Sequence, residues 1–211
     1  MNIPLVERQT KILVESGMRL FQIHRFAGSD NDHIERLLQW ADFPDGATVA
    51  DMGCGVGEVA HVMSGMREDL VFVLVNISGL QLEYAPDMKK IQCDFHSVPL
   101  AADSLDAVMF CFSIGHGEPR LALNEAHRLL KPGGVLFIYD MVRVSGDNSS
   151  MDAVSYKVND RSAIENDAVG FSLDFYMEPS DRGGFGHSLL GADYDRIFVG
   201  TVPAIWRFIK C

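Results

Sequence analysis

An α/β fold, with a doubly wound and mostly parallel seven-stranded sheet, is the architecture this sequence predicts. Three observations point to it. Apolar strand-like runs and amphipathic helix-like stretches alternate between residues 47 and 141, the order that produces parallel strands joined by right-handed crossovers. The runs LVFVLVNI (70–77) and LDAVMFCFSI (105–114) are apolar throughout instead of alternating, as strands covered on both faces must be. The first strand runs into DMGCGVGEVA (51–60). A glycine-rich turn of this kind lets a ligand approach the backbone at the N-terminus of the next helix.

Each element has its own signal. Residues 5–22 place Leu5, Val6, Ile12, Leu13, Leu20 and Phe21 at roughly helical spacing, and residues 31–42 set Ile34, Leu37, Leu38 and Ala41 on one face. Ser29-Asp30-Asn31 precedes the second pattern and can supply its N-cap. After the PDG turn at 44–46 come the strand ATVADM (47–52), a helix over 57–66 and the strand 70–77. A helix from 79 to Pro86, the short strand KKIQCDF and the strand 105–114 follow. EPRLALNEAHRLL (118–130) is an amphipathic helix ended by KPGG, and VLFIYDM (135–141) is a fifth strand. In the tail, FSLDFYM (171–177) and TVPAIWRFI (201–209) read as strands with no clear helix between them, which suits a closing antiparallel pair. The polar stretch 143–160 reads as an excursion over the top of the sheet.

The bulk numbers narrow the class. A length of 211 residues suits one domain, and 47% hydrophobic with 22% charged residues is a globular balance. No run approaches the roughly twenty apolar residues of a membrane span. MNIPLVERQTKILVESG lacks the apolar centre of a signal peptide, so a cytoplasmic location is expected. Cys54, Cys93, Cys111 and Cys211 are far apart and form no CxxC pair, so buried free thiols are expected and neither zinc nor a disulfide framework. The net charge of -11 repels phosphate backbones, and no run of Lys and Arg stands out. On that ground a small-molecule acceptor is expected and nucleic acid is not.

The glycine loop fits two cofactor patterns. Gly55, Gly57 and Ala60 satisfy GxGxxA, a dinucleotide fingerprint, whereas Asp51, Gly53, Gly55 and Gly57 satisfy DxGxGxG. The second pattern resembles the first motif of the class I S-adenosylmethionine-dependent methyltransferases, and the following residues extend the resemblance. Asn76 stands at the end of the second strand, Asp94 at the end of the third, LDAVMF at 105–110 in the fourth, and LLKPGGVLFI at 129–138 leads into the fifth. The likeness covers about residues 45–142 well and the tail loosely. It implies a Rossmann-like methyltransferase fold with an N-terminal helical lid (1–43), a cofactor-binding core (44–142) and an acceptor-side excursion with closing strands (143–211).

The second strand ends in Asn76 where an acid commonly contacts the cofactor ribose. Asn76-Ile77-Ser78 followed by Gln81 is similar to a branch that includes cyclopropane-mycolate synthases and tocopherol methyltransferases. A Gln on the first turn of the next helix offers an acceptor oxygen and two donor hydrogens to a ribose diol, without burying a charge. The resemblance implies further contacts. Gly53, Gly55 and Gly57 would admit the methionine part, Asp51 would orient its ammonium and Asp94 would accept from the adenine amino group. Phe95 would pack beside the ring, with Ile77 and Ser113 completing the set.

Ligands sit outside the carboxyl ends of parallel strands, here Ser113-Ile114-Gly115-His116, Tyr139-Asp140 and Met177-Glu178. His116 is the candidate general base, while His24 and His187 lie on segments that can reach the opening. His61 and His127 read as packing or surface residues, and no cluster has metal-ligand spacing. Phe21, Phe26, Phe171 and Phe185 suggest an apolar acceptor of lipid, isoprenoid or polyketide type. Two alternatives stand beside this reading: an NAD(P)-dependent oxidoreductase, and a non-catalytic binder of S-adenosylmethionine.

Overall fold

The computed structural model describes residues 3–20, 26–146, 156–180 and 199–211. Its elements in chain order are α1 (Ile3–Glu15), α2 (Asp30–Ala41), β1 (Thr48–Met52), α3 (Glu58–Met66), β2 (Val71–Asn76), α4 (Gly79–Tyr84) and β3 (Lys89–Gln92). There follow β4 (Leu105–Cys111), a 3-10 turn (Ile114–His116), α5 (Pro119–Leu129), β5 (Leu130–Arg143), β6 (Asn159–Asp160), α6 (Arg161–Asp167), β7 (Phe171–Met177) and β8 (Thr201–Lys210). The sheet runs β3-β2-β1-β4-β5-β8-β7. β1 to β5 are mutually parallel, and β8 lies antiparallel between β5 and β7. The expected seven strands are present, together with a two-residue strand, β6, which pairs with β5.

Helices cover both faces, so β1, β2, β4 and β5 are almost wholly buried. One face packs Ile34, Leu37 and Ala41 of α2 and Ala60 and Met63 of α3 against Leu74, Met109 and Phe137. The other packs Ala122, Leu123 and Ala126 of α5 and Ile164 of α6 against Val108, Leu136 and Trp206. Asp106 at the start of β4 accepts from Thr48 N at 2.9 Å and from Lys131 Nζ at 2.6 Å, which joins β1, β4 and the KPGG turn at the amino end of the sheet.

Differences from the expected elements have local causes. The first helix stops at Glu15 instead of reaching 22 because Gly17 takes φ +85 and its N–H bonds back to Val14 O, a helix-ending geometry that suits glycine. The second helix begins as expected, with the Ser29 side chain accepting from Asp32 N. α6 falls in a region that carries no helical periodicity, since only Ile164 of its seven residues is buried. The polar stretch 143–160 is described at its two ends only. The cysteines are free, as expected, but Cys211 is exposed and the other three are only partly buried.

Candidate active site

β1 and β4 are neighbours in the sheet although α3, β2, α4 and β3 separate them in sequence. In doubly wound sheets ligands sit at such a topological switch, in a crevice outside the carboxyl ends of the strands, and most of the sequence-selected residues lie at those ends. Gly53 and Cys54 donate backbone N–H groups to Val75 O at 2.8 and 3.1 Å, which anchors the glycine loop to β2. Gly53, Gly55 and Gly57 all take positive φ, at +75, +57 and +73. At Gly53 a Cβ would lie 2.7 Å from Ser113 Cβ, so the loop and the end of β4 touch across a gap only glycine allows.

Asp51 is the next-to-last residue of β1, beside this loop. It is 2% exposed and its carboxylate makes no hydrogen bond among the described residues. Burial pushes its pKa up to about 7. A buried anion with no partner is costly, and a cationic group arriving through the loop would relieve that cost. Ser113 is buried and donates its hydroxyl to Met52 O at 2.5 Å, so it forms a wall of the crevice with that hydrogen already committed.

The tip of β2 is a polar junction. Asn76 spends both amide hydrogens, on Gly55 O at 3.0 Å and on Gln81 Oε1 at 2.8 Å. Gln81 donates to Thr10 Oγ1 of α1 at 2.9 Å, and the Ser78 hydroxyl donates to Glu7 Oε1 at 3.0 Å. Ser78 also caps α4 by accepting from Gln81 N at 3.2 Å. Gln81 therefore retains one amide hydrogen and one oxygen lone pair beyond the bonds it makes. Glu7 and Thr10 escaped the sequence reading, because nothing in a polar helix face signals a partner 71 residues away. Arg19 adds another tie, to Glu58 Oε2 at 2.9 Å and Tyr84 O at 2.6 Å. Half-buried Ile77 follows Asn76 and accepts from Gln92 Nε2 through its carbonyl at 3.5 Å.

Beyond β3, Phe95 lies between the glycine loop and Gly117: a Cβ at Gly53 would sit 3.7 Å from the ring and one at Gly117 2.6 Å from it. Asp94 is exposed, and its Oδ1 accepts from His96.

The ends of β4 and β5 are aromatic. Phe112 takes φ +61, a strained setting for a bulky residue and of a kind that clusters at functional sites. Its ring stacks on Tyr156 at 5.5 Å, with 18° between planes, and lies 6.0 Å from Tyr139. His116 ends the 3-10 turn with its ring edge-on to Tyr156 at 4.9 Å. The hydroxyl of Tyr156 is buried without a hydrogen-bond partner among the described residues. Asp140 holds the turn in place by accepting from Ile114 N at 3.1 Å and Met141 N at 2.7 Å, while burial pushes its pKa up to about 7. Phe26 and buried His33 extend the aromatic group from α2 to Tyr139.

The remaining candidates do not join the site. His61 is exposed on α3, and His127 packs edge-on against Phe171 at 5.2 Å. His24, His187, Phe21 and Phe185 fall outside the described residues. Burial pushes the thiols of Cys54 and Cys111 well up, which leaves them poor nucleophiles.

Residues 15–162 match a family described as hypothetical methyltransferase. The chain belongs to that methyltransferase family, and membership sets aside the oxidoreductase reading of the glycine loop. Similar curated proteins include the 25S rRNA (adenine(645)-N(1))-methyltransferase of Schizosaccharomyces pombe, 30% identical over 48% of this chain and 30% of its own length. The malonyl-[acyl-carrier protein] O-methyltransferase of Alcanivorax borkumensis is 24% identical over 76% of this chain and 56% of its own length. The chain thus spans less than two thirds of either relative. Among solved structures, the [4+2]-cyclase SpnF superposes with a TM-score of 0.82 at 17% identity, covering 97% of this chain and 93% of its own. The geranyl diphosphate C-methyltransferase of Streptomyces coelicolor, solved with Mg2+, geranyl diphosphate and S-adenosylhomocysteine, gives 0.76 at 12%, covering 98% and 97%.

These relatives correct one expectation. The acidic composition led to nucleic acid being ruled out as a partner, yet relatives of this chain are named for rRNA and tRNA substrates. Net charge sums over the whole surface, whereas phosphate contacts need only a local patch within about one Debye length, roughly 8–10 Å. A total of -11 therefore does not exclude such a substrate.

Proposed function

We propose that this chain binds S-adenosylmethionine in the crevice beside the glycine loop and transfers its methyl group to a small, partly apolar organic acceptor. The observation that carries the reading is the pairing of two unlike surfaces at the carboxyl ends of the strands: a buried carboxylate, Asp51, whose pKa burial lifts to about 7, on one side and the aromatic group Phe112, Tyr139 and Tyr156 with His116 on the other.

The donor set fits the cofactor. Asp51 meets the ammonium, directly or through water, and the gaps at Gly53, Gly55 and Gly57 leave room for the methionine chain. Gln81 turns its remaining donor and acceptor to the ribose diol while Asn76 holds Gln81 and the loop in place. Ile77 lies beside the sugar. Asp94 accepts from the adenine amino group through Oδ2, Phe95 packs beside the base, and Ser113 closes the wall. When bound, S-adenosylmethionine supplies a methyl group on a sulfonium, which leaves as S-adenosylhomocysteine after in-line attack. The protein's part is to orient the acceptor and exclude water. The aromatic group does both, and His116 takes up the acceptor's proton on a ring nitrogen where the attacking atom carries one.

A second reading, methylation of a base in RNA, is favoured by the rRNA-directed relative. Aromatic rings that pack an apolar acceptor also stack an extruded base. Incubation with methyl-labelled S-adenosylmethionine and separated extract fractions tests both. Label in the small-molecule or lipid fraction supports the first reading, label in RNA the second. Absence of transfer to every fraction, with the cofactor bound, would leave a binding protein without methyltransferase activity.

A further inference from the structure

His96 has no place in the roles assigned above, yet it joins two parts of the crevice. Its Nδ1 lies 2.6 Å from Asp94 Oδ1, and its backbone N–H donates to the same oxygen at 3.0 Å. Its Nε2 accepts from Glu118 N at 3.0 Å. An imidazole nitrogen that accepts carries no proton, so the ring proton is on Nδ1 and points at the carboxylate. Glu118 follows Gly117, which follows His116. A Cβ at Gly117 would lie 2.7 Å from His96 Nε2 and 2.6 Å from Phe95 Cζ, so the two rings press directly on that backbone.

We propose that His96 is a positioning residue for the adenine end of the cofactor, locking the Asp94 carboxylate and coupling it to the turn that carries His116. The proposal rests on the reading of Asp94 as the adenine contact. The Asp94 side chain is 55% exposed and would otherwise sample several rotamers. Two donors from one residue fix Oδ1, and Oδ2, which makes no hydrogen bond among the described residues, is left available to an amino group. Holding an acceptor in its binding geometry beforehand removes an ordering cost from association. Selectivity for the amino group then depends on His96 even though His96 does not touch the base.

The test is the binding preference for S-adenosylhomocysteine over its purine analogue, in which hydrogen replaces the exocyclic amine, measured by calorimetry on the whole chain. A hydrogen bond to a charged acceptor sets this preference at about tenfold or more in the unaltered protein. Asp94→Ala should abolish it. His96→Gln, which can still reach Glu118 N but not Asp94, should cut the preference at least about threefold while binding of the purine analogue barely changes. His96→Asn keeps a donor near the Nδ1 position and should retain most of the preference. Thermal unfolding of each variant shows that it is folded. A full preference in His96→Gln beside a lost one in Asp94→Ala overturns the proposal alone. Equal weakening of both ligands by His96→Gln, or loss of the preference in His96→Asn, also overturns it, since either marks a merely structural role. A full preference in Asp94→Ala overturns the adenine reading and the proposal with it.

Discussion

The two halves of the crevice are built by different physics. The half formed by β1, β2 and β3 is a chain of hydrogen bonds: Thr10 to Gln81, Gln81 to Asn76, Asn76 to Gly55. The half formed by β4, β5 and residue 156 is a stack of rings arranged around a strained Phe112, with a Tyr156 hydroxyl that has no hydrogen-bond partner among the described residues. Hydrogen bonds specify one partner with defined donors, as a fixed cofactor requires. Ring packing specifies size and flatness and tolerates variation, which suits the side of a methyltransferase that differs between substrates. A change in the first half should therefore appear in cofactor affinity, and a change in the second in turnover.

The largest effect is expected from Gly53→Ala. The new Cβ would meet Ser113 at 2.7 Å in a residue held at φ +75. Left-handed backbone and overpacking together cost about 2–4 kcal/mol. Cofactor affinity should fall about a hundredfold or more by calorimetry, and a normal affinity would show that the loop is not the cofactor cradle. In the other half, His116→Ala should lower turnover by about a hundredfold while cofactor affinity stays within about twofold. Unchanged turnover would mean that the accepting atom gives up no proton, and it would blur the division between the halves.

Asp51→Asn should weaken cofactor binding by about ten- to a hundredfold and yet stabilise the protein. The sign follows from the raised pKa. Burial lifts Asp51 from 3.8 to about 7, so the native state binds more protons than the unfolded state between those values. The carboxylate's cost is absent below about pH 4, grows as pH rises through 7 and is complete above it. A shift of that size corresponds to a cost on the order of 4 kcal/mol. Melting temperature should therefore rise in Asp51→Asn at pH 8 and hardly change at pH 4. Cofactor binding at pH 6 should release close to one proton, seen as a dependence of the calorimetric heat on buffer ionisation, and at pH 8.5 none. Asp140 is also lifted to about 7, but it accepts several backbone N–H groups, so Asp140→Asn gains less stability.

Gln81→Ala should cost about 1–3 kcal/mol, or roughly five- to a hundredfold in cofactor affinity. Thr10→Ala, which removes only the α1 end of the same chain, should cost a few-fold. A larger effect from Thr10 than from Gln81 would move the ribose contact onto α1.

The order β1 to β5 was legible because β1, β2, β4 and β5 are apolar runs and Gly, Pro, Asn or Asp punctuates the chain between the strands, and such punctuation is local. The spacing of Asn76 and Gln81 was also legible, although their partnership with each other instead of with the sugar alone was not. What stayed hidden depends on contacts between distant residues. Glu7 and Thr10 reach α4 across 71 residues, and His96 reaches Glu118 across 22. Tyr156 lies in the polar stretch that reads as an excursion over the top of the sheet, and its own role appears only where Gly115 leaves room for its ring. β6 and α6 were missed because two and seven residues are too short to show a period. The expected exclusion of nucleic acid came from a global sum of charge, which carries no information about local patches.

Titration of the purified chain with S-adenosylhomocysteine and, separately, with NADPH tests the central claim most directly. Saturable micromolar-range binding of S-adenosylhomocysteine, weakened in Asp51→Asn, is expected, with no saturable binding of NADPH. Saturable NADPH binding with no response to S-adenosylhomocysteine would contradict it.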